Sequence, residues 1–167
     1  MSEIATPPDD FPTAFETAFA RVQILLEEAS AEELEWPLKV AAAVRAGLSF
    51  AAAHPQSVRT LTAEPVLHGA DGVARYERLI AYLAEALATG RTRAGPGDEL
   101  PPTFERGLAG GVATLIALRV EGGREAELPG IASQVIQFIL TGYVGPAEAL
   151  RISIAPTSGK LTHDWHG

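Results

Sequence analysis

Two neighbouring stretches decide how this chain folds: TFERGLAGGVATLIALRVEGG at 103–123 and LPGIASQVIQFILTGYVGP at 128–146. Each reads as a helix. The first runs from about Thr103 to Glu121 and stops at Gly122-Gly123; the second runs from Pro129 to Val144 and stops at Gly145-Pro146. In the first, Leu108, Val112 and Leu115 recur on one side, and Ala109, Ala113, Ile116 and Val120 on another. In the second, Ile131, Val135 and Phe138 form one stripe, and Ala132, Ile136, Ile139 and Tyr143 a second. A helix that is apolar on more than one side must be covered on more than one side. A domain of this size has little room to enclose two such helices at the end of its chain. The pattern therefore predicts a homodimer with two-fold symmetry, in which these helices from each copy form a four-helix bundle. Its interface would hold Ala109, Ala113, Ile116, Val120, Ala132, Ile136, Ile139 and Tyr143, with Gly110, Ala113 or Thr114, and Ala117 letting a facing helix approach closely. The alternative is that both are central helices of a monomeric bundle.

Working outward, the same 3.6-residue period recurs towards the N-terminus, broken by proline and glycine. Phe11, Phe15, Ala18, Phe19, Val22, Leu25, Leu26 and Ala29 form one stripe, behind Asp9-Asp10 and Pro12 at the helix start. Trp36-Pro37 opens a second helix with Val40, Val44, Leu48 and Ala51 in register, ended by His54-Pro55. A short third helix spans Ser57 to about Ala63. A fourth begins after Gly69-Ala70-Asp71, carries Val73, Tyr76, Ile80, Leu83 and Leu87, and ends at Gly90. Arg91 to Pro102 reads as a Gly- and Pro-rich loop, and Ala147 to Leu150 as a last turn. The fold class is thus all-α, an antiparallel bundle of about six helices over residues 11–150. Residues 1–10 read as extended or disordered. Residues 151–167 read as an irregular tail, with weak alternation at Arg151-Ile152-Ser153-Ile154 that would allow a short strand.

Composition agrees with helices and excludes several classes of function. The chain has 167 residues, 47% of them apolar and only 7% aromatic. Its many alanines and leucines lose little side-chain entropy in a helix. The net charge is −8, and the arginines are scattered rather than gathered on one face. A surface that neutralises phosphates needs the opposite sign, so nucleic-acid binding is not expected. The absence of cysteine excludes disulfides, cysteine–zinc sites and thiol nucleophiles. No stretch approaches the ~20 apolar residues of a bilayer span, and the N-terminus lacks a signal-peptide pattern. The expected location is the cytoplasm, with no membrane partner.

Catalytic and metal-binding patterns are missing. Gly95-Pro96-Gly97 and Gly110-Gly111 do not follow strands or precede a Lys-Ser/Thr pair, so they make no phosphate cradle. Glu27-Glu28 and Glu32-Glu33-Leu34-Glu35 read as a solvated helix end. No serine sits in a nucleophile elbow. His54 reads as a helix-end residue capping carbonyls and His68 as a solvated loop residue. His163, Asp164 and His166 lie close in sequence but fall short of a fixed shell of three or four donors. No enzyme activity, cofactor or metal is expected.

The order of short motifs carries a resemblance. Phe15-Glu16-Thr17-Ala18-Phe19 is followed by Trp36-Pro37-Leu38-Lys39-Val40, then by Phe50-Ala51-Ala52-Ala53-His54-Pro55 with Arg59-Thr60-Leu61 and Glu64. Gly110-Gly111-Val112 and Val120-Glu121-Gly122 come next, then Leu128-Pro129, Phe138 and Tyr143-Val144-Gly145. Over about Phe11 to Leu150 this resembles the C-terminal ligand-binding and dimerisation domain of TetR-family transcriptional regulators. The resemblance implies a pocket for a small, mostly apolar effector among the second to fifth helices. Candidates for it are Phe50, His54, Leu61, Tyr76, Ile80, Leu83, Val112, Leu115 and Arg119, though the apolar ones also suit a plain core. Tyr76 and Arg119 stand out, because a polar group on a buried stripe needs a partner. Such regulators carry an N-terminal helix-turn-helix domain, and only Met1 to Asp10 precede the first helix in this sequence. The expectation is an effector-sensing, dimerising module without a DNA reader of its own. The alternative is a headless adaptor that pairs with a full-length regulator and modulates it.

Overall fold

Helix boundaries follow from the backbone chemistry of proline and glycine. A computed structural model describes residues 10–92 and 100–156, which form seven α-helices and two 3-10 segments with no strand among the described residues. The helices are α1 (Phe11–Ala31), α2 (Trp36–Ala53), α3 (Pro55–Thr62), α4 (Gly69–Ala88), α5 (Phe104–Glu121), α6 (Ala132–Val144) and α7 (Pro146–Ile154). The 3-10 segments, Glu64–His68 and Glu125–Ile131, lead into α4 and α6. Pro12, Pro37, Pro55 and Pro146 occupy the first turns of α1, α2, α3 and α7, where a missing N–H leaves no bond unmade. Gly145 reverses the chain between α6 and α7 at φ +83°, a conformation that costs glycine nothing.

The end of the chain departs from expectation. Residues 146–154 form a full helix, so Arg151 to Ile154 are neither irregular nor extended. Ala149, Ile152 and Ser153 recur at helical spacing and are buried, and α7 lies along α6. The Arg45 guanidinium reaches across from α2 and donates to the carbonyls of Ser153 (2.9 Å) and Ala155 (3.2 Å), which otherwise lack partners at a helix end. Residues 1–9, 93–99 and 157–167 lie outside the described residues. The expected extended N-terminus, most of the Arg91–Pro102 loop and the His163/Asp164/His166 group fall there.

α2 is the shared wall, packed against α1, α3, α5, α6, α7 and the second 3-10 segment. The apolar interior divides into three clusters. The largest joins α2, α5, α6 and α7 through residues such as Leu48, Leu128, Ile136, Leu140 and Tyr143. A second joins Phe11, Phe15 and Phe19 of α1 to Leu61 and Leu79, with successive rings 5.8 and 6.1 Å apart. The third is small: Ile80 against Ala109 and Ala113.

A polar knot fastens the end of α4 to the start of α5 and the end of α6. Arg91 grips the Glu105 carboxylate with two bonds of 2.6 and 2.7 Å and donates to the carbonyls of Leu100 and Pro101. The Tyr143 hydroxyl donates to the same carboxylate at 3.1 Å. Glu105 is only 4% exposed, so these bonds replace its lost water. Around them Tyr143 meets the Trp36 and Phe104 rings edge-on, at 4.8 and 5.4 Å. The Trp36 indole lies so close on Gly90 that a Cβ there would come within 2.2 Å of it.

The Arg91 guanidinium holds the Glu105 carboxyl below the usual carboxylate range, against the opposing pull of burial. A depressed folded-state value gives stability that is present above the unfolded carboxylate's value of about 4.3 and is lost as pH falls through the lowered one. Glu105→Ala removes the buried carboxylate that Arg91 and Tyr143 share, and the expected loss is about 3 kcal/mol, or roughly 10 °C in Tm. Urea denaturation from pH 7 down to pH 3 checks both points: the variant should be weaker at pH 7 and lose less on acidification than the wild type.

Candidate functional site

Between the three clusters lies a cavity of about 450 Å³. Five helices supply most of its wall, and α6 adds Ile139. From α1 come Val22, Leu25 and Leu26; from α2 Val44, Leu48 and Phe50; from α3 Val58 and Leu61. Leu79, Leu83 and Leu87 of α4 and Leu108, Ala109, Val112, Ala113 and Ile116 of α5 complete it. The helical period explains why the wall is so uniformly apolar. Each helix turns one stripe inwards, and on five helices part of that stripe faces the void instead of another side chain. Val22, Leu25, Leu26, Val44, Leu83 and Val112 are accordingly half-buried rather than sealed.

Polar lining residues gather where α1 ends, α2 begins and α4 ends. They are Glu27, Ser30, Lys39, Tyr82 and Thr89, with Thr62 further in on α3. Nearly all are occupied locally. The Tyr82 hydroxyl donates to Glu27 at 3.3 Å, and the hydroxyls of Ser30, Thr62 and Thr89 donate to carbonyls of their own helices. Burial, reinforced by the Glu27 carboxylate, pushes the Tyr82 phenol above its ordinary pKa.

The residues expected at an effector pocket divide into two groups. Phe50, Leu61, Leu83 and Val112 line the cavity. Phe50 stands beside the His54 ring, with the Arg21 guanidinium 5.4 Å from its ring centre. Tyr76 and Ile80 belong to the small cluster behind the wall instead. There burial raises the Tyr76 pKa, with a contribution from the Glu77 carboxylate. Leu115 and Arg119 face the other way, into a hollow of about 300 Å³ between α5 and α6, and Arg119 donates to Glu127 at 3.1 Å.

In this chain the residues expected at a dimer interface turn inwards or are partly covered. Ala109, Ala113, Ile116 and Ile139 line the cavity. Val120, Ile136 and Tyr143 have no accessible surface, and Ala132 packs half-buried against the main cluster. Val120, Ile136 and Tyr143, enclosed by their own chain, have no surface left to give a partner. The outward face of this pair is a different set: Gly107, Gly111, Thr114 and Leu118 along α5, with Phe138 of α6 beside the hollow. Leu118 is 65% exposed and Phe138 56%.

Among the described residues no group of three or more His, Cys, Asp or Glu could hold a metal ion, and no helix is long and apolar enough to cross a membrane. No protein-family model matches the chain, and neither curated proteins nor solved structures give a match.

A side chain that borders a void has fewer neighbours to lose. Leu83→Ala should therefore cost only about 1 kcal/mol, whereas Leu140→Ala, in the sealed cluster behind it, should cost about 3 kcal/mol. Equal losses in chemical denaturation would show that the wall is packed as tightly as the core.

Proposed function

We propose that this chain is an effector-sensing, dimerising domain of the TetR type, which takes a small, mostly apolar molecule into its central cavity. The observation that carries this reading is the cavity itself. Its volume of about 450 Å³ lies within the range of small-molecule sites, and its wall is apolar with a few placed polar groups. The motif order read from the sequence supports the same assignment. Most polar side chains in the wall are bonded to one another or to their own helices, which favours binding over turnover.

The partner in this reading is a second copy, seated on the outward face of α5 and α6. Gly107, Gly111 and Thr114 let a facing helix come close, while Leu118 and Phe138 stand as knobs beside the hollow. Two-fold contact sets a patch against itself, so a charged patch would repel its own image. In a chain with a net charge of −8, no carboxylate lines this hollow, and its one cation, Arg119, is paired with Glu127.

Two measurements test the proposal. A neutral apolar fluorophore such as N-phenyl-1-naphthylamine should bind one per chain, and Val44→Trp, which fills the void, should weaken it at least about tenfold with circular dichroism unchanged. Undiminished binding would remove the cavity from the reading. Light scattering should give twice the mass of the chain, and Leu118→Glu with Phe138→Glu should return it to monomer; a monomeric wild type at high concentration would overturn the dimer.

A further inference from the structure

The polar rim of the cavity contains one unmatched group. Lys39 lines the wall from the first turn of α2, half-buried, three residues after the Trp36 ring that the knot holds in place. Its ammonium makes no hydrogen bond or ion pair among the described residues. The other rim residues differ in this respect. Glu27 accepts the Tyr82 hydroxyl, while Ser30 and Thr89 are bonded to backbone carbonyls. Nearby Glu35 offers its backbone carbonyl to the Lys39 amide, but its carboxylate makes no ion pair with the ammonium.

An ammonium is strongly hydrated, and its stem covers apolar surface while the head keeps water. A ligand with an acidic head could replace that water with a charge-assisted bond, stronger than a neutral one. The positive end of the α2 dipole adds to the potential at this point. The rest of the wall is hydrocarbon and suits an apolar body. The rim carboxylate, Glu27, argues against a cation as the preferred head, because it already has a donor.

We propose that the cavity is selective for an amphipathic carboxylate, with its apolar chain among Leu25, Val44, Leu83 and Val112 and its acid group on the Lys39 ammonium. This rests on the cavity being a ligand site, as proposed above. The chemistry is that of a medium-chain carboxylic acid in its ionised form, bound without covalent change.

Calorimetric titration with decanoate, decan-1-ol and decyltrimethylammonium tests it, each also measured by displacement of N-phenyl-1-naphthylamine. Decanoate should bind about tenfold more tightly than the alcohol, and the cation most weakly. Lys39→Met should erase the preference for decanoate over decan-1-ol, and Lys39→Arg should restore it. From octanoate to decanoate, each added methylene should tighten binding about fourfold. If the alcohol or the cation binds as well as decanoate, or if Lys39→Met keeps the preference, the carboxylate proposal fails and the cavity reading survives. If none of the three ligands binds while the fluorophore does, the carboxylate proposal fails alone; if the fluorophore does not bind either, both fail.

Discussion

The arrangement depends on the buried Glu105 carboxylate, to which Arg91 and Tyr143 both donate. Burying a carboxylate is costly unless its lone pairs are filled, and here a bidentate guanidinium and a phenol fill them. Because the three residues follow α4, open α5 and close α6, the bond fixes how those helices converge. Trp36 is caught in the same place, between Gly90 and the Tyr143 ring, which brings in the start of α2. Four segments distant in sequence are thereby pinned at one end of the bundle. Lys39 follows Trp36 by about one turn of α2 and Thr89 precedes Gly90, so part of the cavity's polar lining is attached to that fixed point.

Pinning the helices at one end lets them stand apart further along. The interior is three clusters around a void, not one continuous core. A sealed hydrocarbon cavity of this volume would cost on the order of 10 kcal/mol by the scale of large-to-small core substitutions. That is comparable with the whole net stability of a domain. The polar rim, where solvent or a ligand can enter, makes the true cost smaller than this bound. A molecule that filled such a void would stabilise the fold by an amount that grows with the logarithm of its concentration over its Kd.

Much of the helical frame was legible in the sequence because proline and glycine announce helix ends by backbone chemistry alone. Trp36-Pro37, His54-Pro55, Gly122-Gly123 and Gly145-Pro146 all fall at observed boundaries. The doubly apolar character of α5 and α6 was legible too, but what covers each stripe was not. The Ile136, Ile139 and Tyr143 stripe is enclosed within the chain, and α7 supplies cover on α6 that the alternation at 151–154 concealed. The stripe at Ala109, Ala113 and Ile116 faces the cavity. Periodicity gives the angle between two stripes on a helix, but not which neighbour lies across from each. For the same reason Phe50 and Leu83 could be placed on an inward face while the contribution of α1 went unseen. Val22, Leu25 and Leu26 look the same in sequence whether they meet a side chain or a void. Lys39 carried no signal at all, since one lysine in a first turn is ordinarily a solvated one.

A single helix, α5, stands between the cavity and the outward hollow. Val112 borders both the cavity and the hollow on the outward face, so one helix separates the proposed ligand from the proposed partner. In the proposed reading, a ligand against Val112 and Ala113 would bear on the same helix that carries Gly111 and Leu118 on its other side. If the two states of α5 differ in how well the outer faces match, ligand affinity and self-association become linked, and the linkage is reciprocal. A ligand that tightens the dimer by some factor must bind the dimer more tightly than the monomer by that same factor. Under the proposed reading, this shared wall is where a ligand and a second copy would meet, on opposite sides of Val112.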